Sequence, residues 1–134
     1  MDKPDFSGVW KFNLGRSSLE IPPPDSTRFV INHREPQFRL ERTHTFAGTA
    51  DFFAIDLSTA GDTVESIHAG ISIRSRLTWE GDDLVFFSEM RRGDAHGTNI
   101  VRYRLTDNGR TFVARERLDF EGQSHENIWV FDRQ

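Results

Sequence analysis

Arg42, His44 and Glu116 are ionisable side chains at positions where an alternating apolar pattern demands a core-facing residue. Phe38, Leu40, Arg42, His44 and Phe46 fall on one face of one segment, and Ala114, Glu116 and Leu118 on one face of another. In an interior, a histidine can serve as general base and a carboxyl raised by burial as general acid. An arginine beside them would stabilise an enolate or a carboxylate. His44 and Glu116 are therefore the candidate catalytic pair, with Arg42 as the anion partner. Read instead as a binding site, the same face offers Arg42, His44, Glu116, Ser75, Tyr103 and Trp129 to a ligand. Ser88 is a further hydroxyl, on a segment apolar on both faces. His33 continues the face of Phe29 and Ile31, and His125 and Asn127 share that of Trp129 and Phe131. The competing reading puts Arg42, His44 and Glu116 at a rim, exposed or salt-bridged, with His33 and His125 merely at strand ends.

Other chemistry finds little support. The five histidines are dispersed, with no H-x-H or H-E-x-x-H spacing, so no metal site is expected. Nothing in the spacing supports a haem or other cofactor. There is no cysteine and no G-x-S-x-G nucleophile elbow. The formal charge of −4 lacks the basic footprint of a nucleic-acid partner. No apolar run reaches the roughly 20 residues of a transmembrane helix. Met1 to Pro4 carries no apolar leader, but a processed chain would begin the same way, so cytoplasm and export both stay open. Oligomeric state is not legible.

The positioning elements are strands. From Ser26 onward apolar and polar residues alternate with period two, broken by short turn sequences. This predicts strands near 6–12, 27–34, 37–46, 50–57, 63–68, 71–80, 84–91, 99–106, 111–120 and 125–132. Asn13 to Asp25, with Pro22, Pro23 and Pro24, is expected to be an extended loop, and Gly93 to Gly97 a longer one. Turn signals about every 8–12 residues, with alternating strands between them, imply an all-β meander. The expected architecture is a single antiparallel up-and-down β-barrel of about 8–10 strands, with residues 1–134 as one domain. Twelve Phe and three Trp suit a barrel whose strands are apolar only on the inner face. Three segments carry arginines two residues apart opposite that face, Arg74 with Arg76, Arg102 with Arg104, and Arg115 with Arg117. A solvated wall with cross-strand ion pairs is the preferred reading over an anion-binding ladder.

Gly8-Val9-Trp10, within Phe6 to Lys11, resembles the G-x-W signature that opens the first strand of lipocalins and fatty-acid-binding proteins, the calycin-type barrels. With the Trp79-Glu80-Gly81-Asp82 turn and the Val130 to Gln134 ending, the whole chain resembles small bacterial lipocalin-like proteins, a group of undefined role. The resemblance implies that Trp10 closes one end of a barrel able to hold a small apolar molecule. It transfers no ligand and no catalytic residue. No residues remain for the lipocalin C-terminal helix, and the proline loop stands where fatty-acid-binding proteins carry a helical lid. Arg102-Tyr103 and Arg115-Glu116-Arg117 do not reproduce their Arg-x-Tyr carboxylate motif.

Three roles follow: a module binding a small hydrophobic or amphipathic molecule, which is preferred, with Arg42 or Tyr103 at its polar end; a small isomerase, cyclase or dehydratase in the same cavity; or a barrel filled solid with phenylalanine.

Overall fold

Ten antiparallel strands form one sheet in a computed structural model that describes residues 3–134. Met1 and Asp2, on which the expectation about an apolar leader in part falls, lie outside the described residues. The strands are β1 (Gly8–Phe12), β2 (Ser26–Arg34), β3 (Gln37–Phe46), β4 (Thr49–Ser58), β5 (Val64–His68), β6 (Ile71–Glu80), β7 (Asp83–Arg92), β8 (Ala95–Thr106), β9 (Thr111–Phe120) and β10 (Gln123–Arg133). Their order in the sheet is β4-β3-β2-β1-β10-β9-β8-β7-β6-β5, so the sheet closes through the β1–β10 pair. Its two free edges, β4 and β5, meet without a backbone ladder among the described residues. The result is a nearly closed all-β barrel. No helix among the described residues is long and apolar enough to cross a membrane.

Period-two alternation decides what faces the lumen. In the β2–β3 pair Phe29 stands opposite Arg42 and Thr27 opposite His44. In the β8–β9 pair Tyr103 stands opposite Ala114, with Glu116 opposite Val101. Partners across a ladder point to the same side of a sheet, so these residues all project inward. The paired arginines project outward, and several find carboxylates there. Arg104 grips Asp83 with two hydrogen bonds of 2.9 and 2.8 Å, Arg102 reaches Glu80 at 2.9 Å, and Arg117 reaches Asp119 at 3.1 Å.

One end of the lumen is packed solid. Phe6, Trp10 and Phe112 are fully buried, and the Phe112 ring lies 5.4 Å from Trp10 and 5.8 Å from Phe6, edge to face in both cases. The G-x-W triplet has a direct physical reading here. The Arg133 guanidinium lies 4.3 Å over the Trp10 ring and donates to the Ser7 carbonyl at 2.8 Å. Gly8 sits at φ +147°, a conformation L side chains rarely adopt, and a Cβ there would also press to 2.5 Å from that guanidinium and oblige it to shift. His33 belongs to this end too. Its Nδ1 accepts the Phe6 amide at 3.1 Å and its Nε2 meets Glu35 at 2.7 Å.

Two loop expectations are corrected. Gly93 to Gly97 is not a loop: β8 begins at Ala95, and Ala95, His96 and Gly97 pair with Arg92, Arg91 and Met90 across a turn of Gly93 and Asp94. The two glycines signal a loop, yet Gly97 is needed within the ladder, where an added Cβ would collide with Phe120 and the Asp119 carbonyl. Asn13 to Asp25 is extended but not free. After a single 3-10 turn at Leu14–Arg16 it lies along β10, with Ser18 and Ile128 exchanging backbone hydrogen bonds of 2.9 and 2.7 Å. Leu19 and Ile21 from this segment pack against the core.

Candidate functional site

The other half of the lumen is open. A cavity of about 150 Å³ lies between Phe29, Phe53, Phe86, Val101, Tyr103 and Trp129. Arg42, His44, Ser75, Tyr103, Glu116 and Trp129, the six side chains named from the sequence, all line it. The lumen is therefore neither solid with phenylalanine nor empty, and the three ionisable groups stand inside it rather than outside the wall. His33 lies at the packed end and His125 is half-buried on β10, neither lining the cavity.

Arg42 enters from β3 with its guanidinium 5.1 Å over the Phe53 ring. Its Nη2 donates to Asp51 at a long 3.3 Å. Burial pulls this guanidinium below its usual range, opposed by the Asp51 charge. Among the described residues, Arg42 Nε has no hydrogen-bond partner.

His44 lies one pleat nearer the mouth. Its Nδ1 is 2.6 Å from Thr27 Oγ1, and its ring stacks on Trp129 at 5.7 Å. Burial first, and then the nearby Arg42 charge, lower its pKa to about 4. The imidazole is neutral at pH 7, a poor proton acceptor but a good hydrogen-bonding surface. A stability consequence follows from the sign of this shift. The unfolded chain takes up the proton near pH 6.5 and the native one near 4, so stability is complete above 6.5 and falls as pH drops toward 4. After screening at the mouth, the loss should be on the order of 2 kcal/mol. Urea unfolding of the parent and His44→Gln between those pH values should show the parent losing the advantage and the variant changing less.

Glu116 differs from the expected free acid. One oxygen accepts Asn127 Nδ2 at 3.0 Å and Trp129 Nε1 at 2.9 Å; the other accepts Asn99 Nδ2 at 2.9 Å. It is the hub of a hydrogen-bond network spanning β8, β9 and β10. Tyr103 stands nearby, its phenol pushed well up by burial and by the Glu116 charge, with Arg42 across the lumen partly offsetting. The phenol therefore keeps its proton and can donate. Ser75 and Ser88 face each other at 3.0 Å and largely satisfy one another.

The structure adds residues that sequence reasoning missed. Asn99 lines the cavity from the Val101 and Tyr103 face of β8; the expected strand at 99–106 already held it on that face, so its parity was the available signal. Its amide is oriented by Glu116, which leaves its Oδ1 without a partner among the described residues. Asp51 and His68 join the free edges of the sheet, with His68 Nε2 3.1 Å from both Asp51 oxygens and its ring edge-on to Phe53 at 5.1 Å. The His68 hydrogen bond is the main influence holding the Asp51 carboxyl below the usual carboxylate range. The alternation Asp51, Phe53, Ile55 was the available signal. That β4 and β5 would meet was not.

No protein-family model matches the chain, and no curated protein matches it by sequence. Solved structures do resemble it. A secretory abundant heat soluble protein from Ramazzottius varieornatus superposes with a TM-score of 0.69 at 12% identity, covering 96% of this chain and 94% of that one. Human cRBP IV superposes at 0.62 and 14% identity, covering 98% and 99%. A fatty acid-binding protein from Drosophila melanogaster brain superposes at 0.54 and 16% identity, covering 96% and 99%. The fold is that of the lipocalin and fatty-acid-binding-protein barrels. At these identities the likeness carries the architecture and no ligand.

Proposed function

We propose that this barrel binds a small hydrophobic or amphipathic molecule in the open half of its lumen, its polar end toward Arg42 and Tyr103. The observation that carries this reading is the cavity itself, an apolar wall interrupted by a few inward polar groups. The solved relatives whose names refer to ligands, a fatty acid-binding protein among them, support a binding role for such a lumen. The acid–base alternative has less behind it. Glu116 is engaged by three N–H donors, and His44, at about 4, has little affinity for a substrate proton at pH 7.

The test is displacement of an environment-sensitive apolar dye, together with native mass spectrometry of freshly purified protein. Dye fluorescence should rise on binding, fall with a lumen ligand, and weaken when Ala114→Trp fills the cavity. If neither dye nor any co-purifying or added small molecule associates, the binding reading fails.

A further inference from the structure

We propose that the ligand is a compact aromatic acid, a single ring whose carboxylate meets Arg42 and whose hydroxyl or amino hydrogen meets Asn99. This rests on the binding reading above and narrows it by size, charge and hydrogen-bond sense.

Size comes first. A cavity of about 150 Å³ is the volume at which an apolar protein cavity accepts one benzene. It lies below the roughly 300–1,000 Å³ of pockets for drug-sized ligands, and the Phe112 and Trp10 rings close the lumen below it. A long acyl chain has no room to run down the barrel. The surrounding Phe29, Phe53, Phe86 and Trp129 rings present faces and edges to a flat guest.

Charge comes second. Arg42 is the cation of this lumen, and its carboxylate partner is the partly exposed Asp51, which takes one nitrogen at 3.3 Å. Its Nε donor is unpartnered among the described residues. Glu116 does not neutralise it by contact, because that carboxylate is held by Asn99, Asn127 and Trp129. A half-buried guanidinium with unused donors favours a carboxylate, which can accept two parallel N–H bonds.

Hydrogen-bond sense comes third. Glu116 accepts from Asn99 Nδ2, which leaves the buried Asn99 Oδ1 as the remaining group, without a donor among the described residues. Strands β3 and β8, which carry Arg42 and Asn99, have four strands between them in either direction around the barrel. The anion site and the acceptor therefore spring from opposite walls. A ring with an acid at one end and a donor at the other satisfies both.

Isothermal titration of the full chain with 4-hydroxybenzoate, benzoate, benzyl alcohol and dodecanoate tests this. The hydroxy acid should bind tightest, with benzyl alcohol weaker by about 10–100-fold, the value of a hydrogen bond to a charged group. Arg42→Met, which keeps the apolar stem, should remove most of the acid preference while leaving benzyl alcohol binding, and Arg42→Lys should restore part of it. Equal affinity of acid and alcohol, or dodecanoate binding above the ring acids, overturns the aromatic-acid assignment and leaves the binding role standing. Failure of all four, and of the dye, removes the binding role itself. The comparison on the parent protein decides the matter even if a variant does not fold.

Discussion

Phe112→Ala should lower the stability of the barrel by about 3–5 kcal/mol, the range for truncating a fully buried aromatic. Phe112 contacts more of the closed end than any neighbour considered above: its ring centre lies 5.0 Å from Tyr103, 5.5 Å from Phe131, 5.9 Å from Phe29, and closer than 6 Å to Phe6 and Trp10. These rings come from β1, β2, β8 and β10 and the residues before β1, so the space left cannot close by moving one strand. Urea unfolding at pH 7 measures the loss, and a change below about 1 kcal/mol would mean the site collapses freely. Phe29 and Tyr103 also line the cavity, so truncation should open a path between cavity and packed end. The variant should accept longer guests, dodecanoate among them, that the parent rejects.

Much of this architecture was legible from period two alone. Parity put Arg42 and His44 on the face of Leu40, and Glu116 on the face of Ala114, because a one-residue slip would have turned Phe38 and Leu118 into water. Parity also sent Arg74, Arg102 and Arg115 outward. What it could not yield is any relation between strands distant in sequence. Glu116 reads as a candidate acid until Asn99, Asn127 and Trp129 arrive from β8 and β10, at separations of 17, 11 and 13 residues. The division of the lumen into a packed and an open half depends on ring orientations, which residue spacing does not encode. The segment at Gly93 to Gly97 misled because glycine marks both a turn and a close approach within a sheet, and here both occur within five residues.

The junction of the free edges ties the cavity to the wall. His68, Asp51 and Arg42 form a chain from β5 through β4 to β3, at 3.1 and then 3.3 Å. Asp51 is the carboxylate with which a bound acid would share Arg42. A guest anion would therefore draw on the same guanidinium that reaches across to β4, while His68 keeps its own grip on Asp51.

Glu116 offers the second large effect, and one that separates scaffold from catalyst. Glu116→Leu removes the acceptor for three N–H groups at once. Asn99 and Trp129 line the cavity, where water can reach them, but Asn127 is 1% exposed and would be stranded. At about 1–3 kcal/mol for a dry unpaired group, with smaller losses at the other two, the variant should be destabilised by about 2–4 kcal/mol. Glu116→Gln should lose under about 1 kcal/mol, since the new amide oxygen can still accept from Asn127 and Trp129. Its NH₂, however, would oppose Asn99 Nδ2, and the simplest relief is rotation of the Asn99 amide. That rotation turns the lumen acceptor into a donor. Glu116→Gln should therefore still bind benzoate but lose the preference for 4-aminobenzoate, whose aryl amine donates and accepts poorly, a signature that removal of a general acid would not produce. An unchanged preference would show that Asn99 does not read the ring's far end.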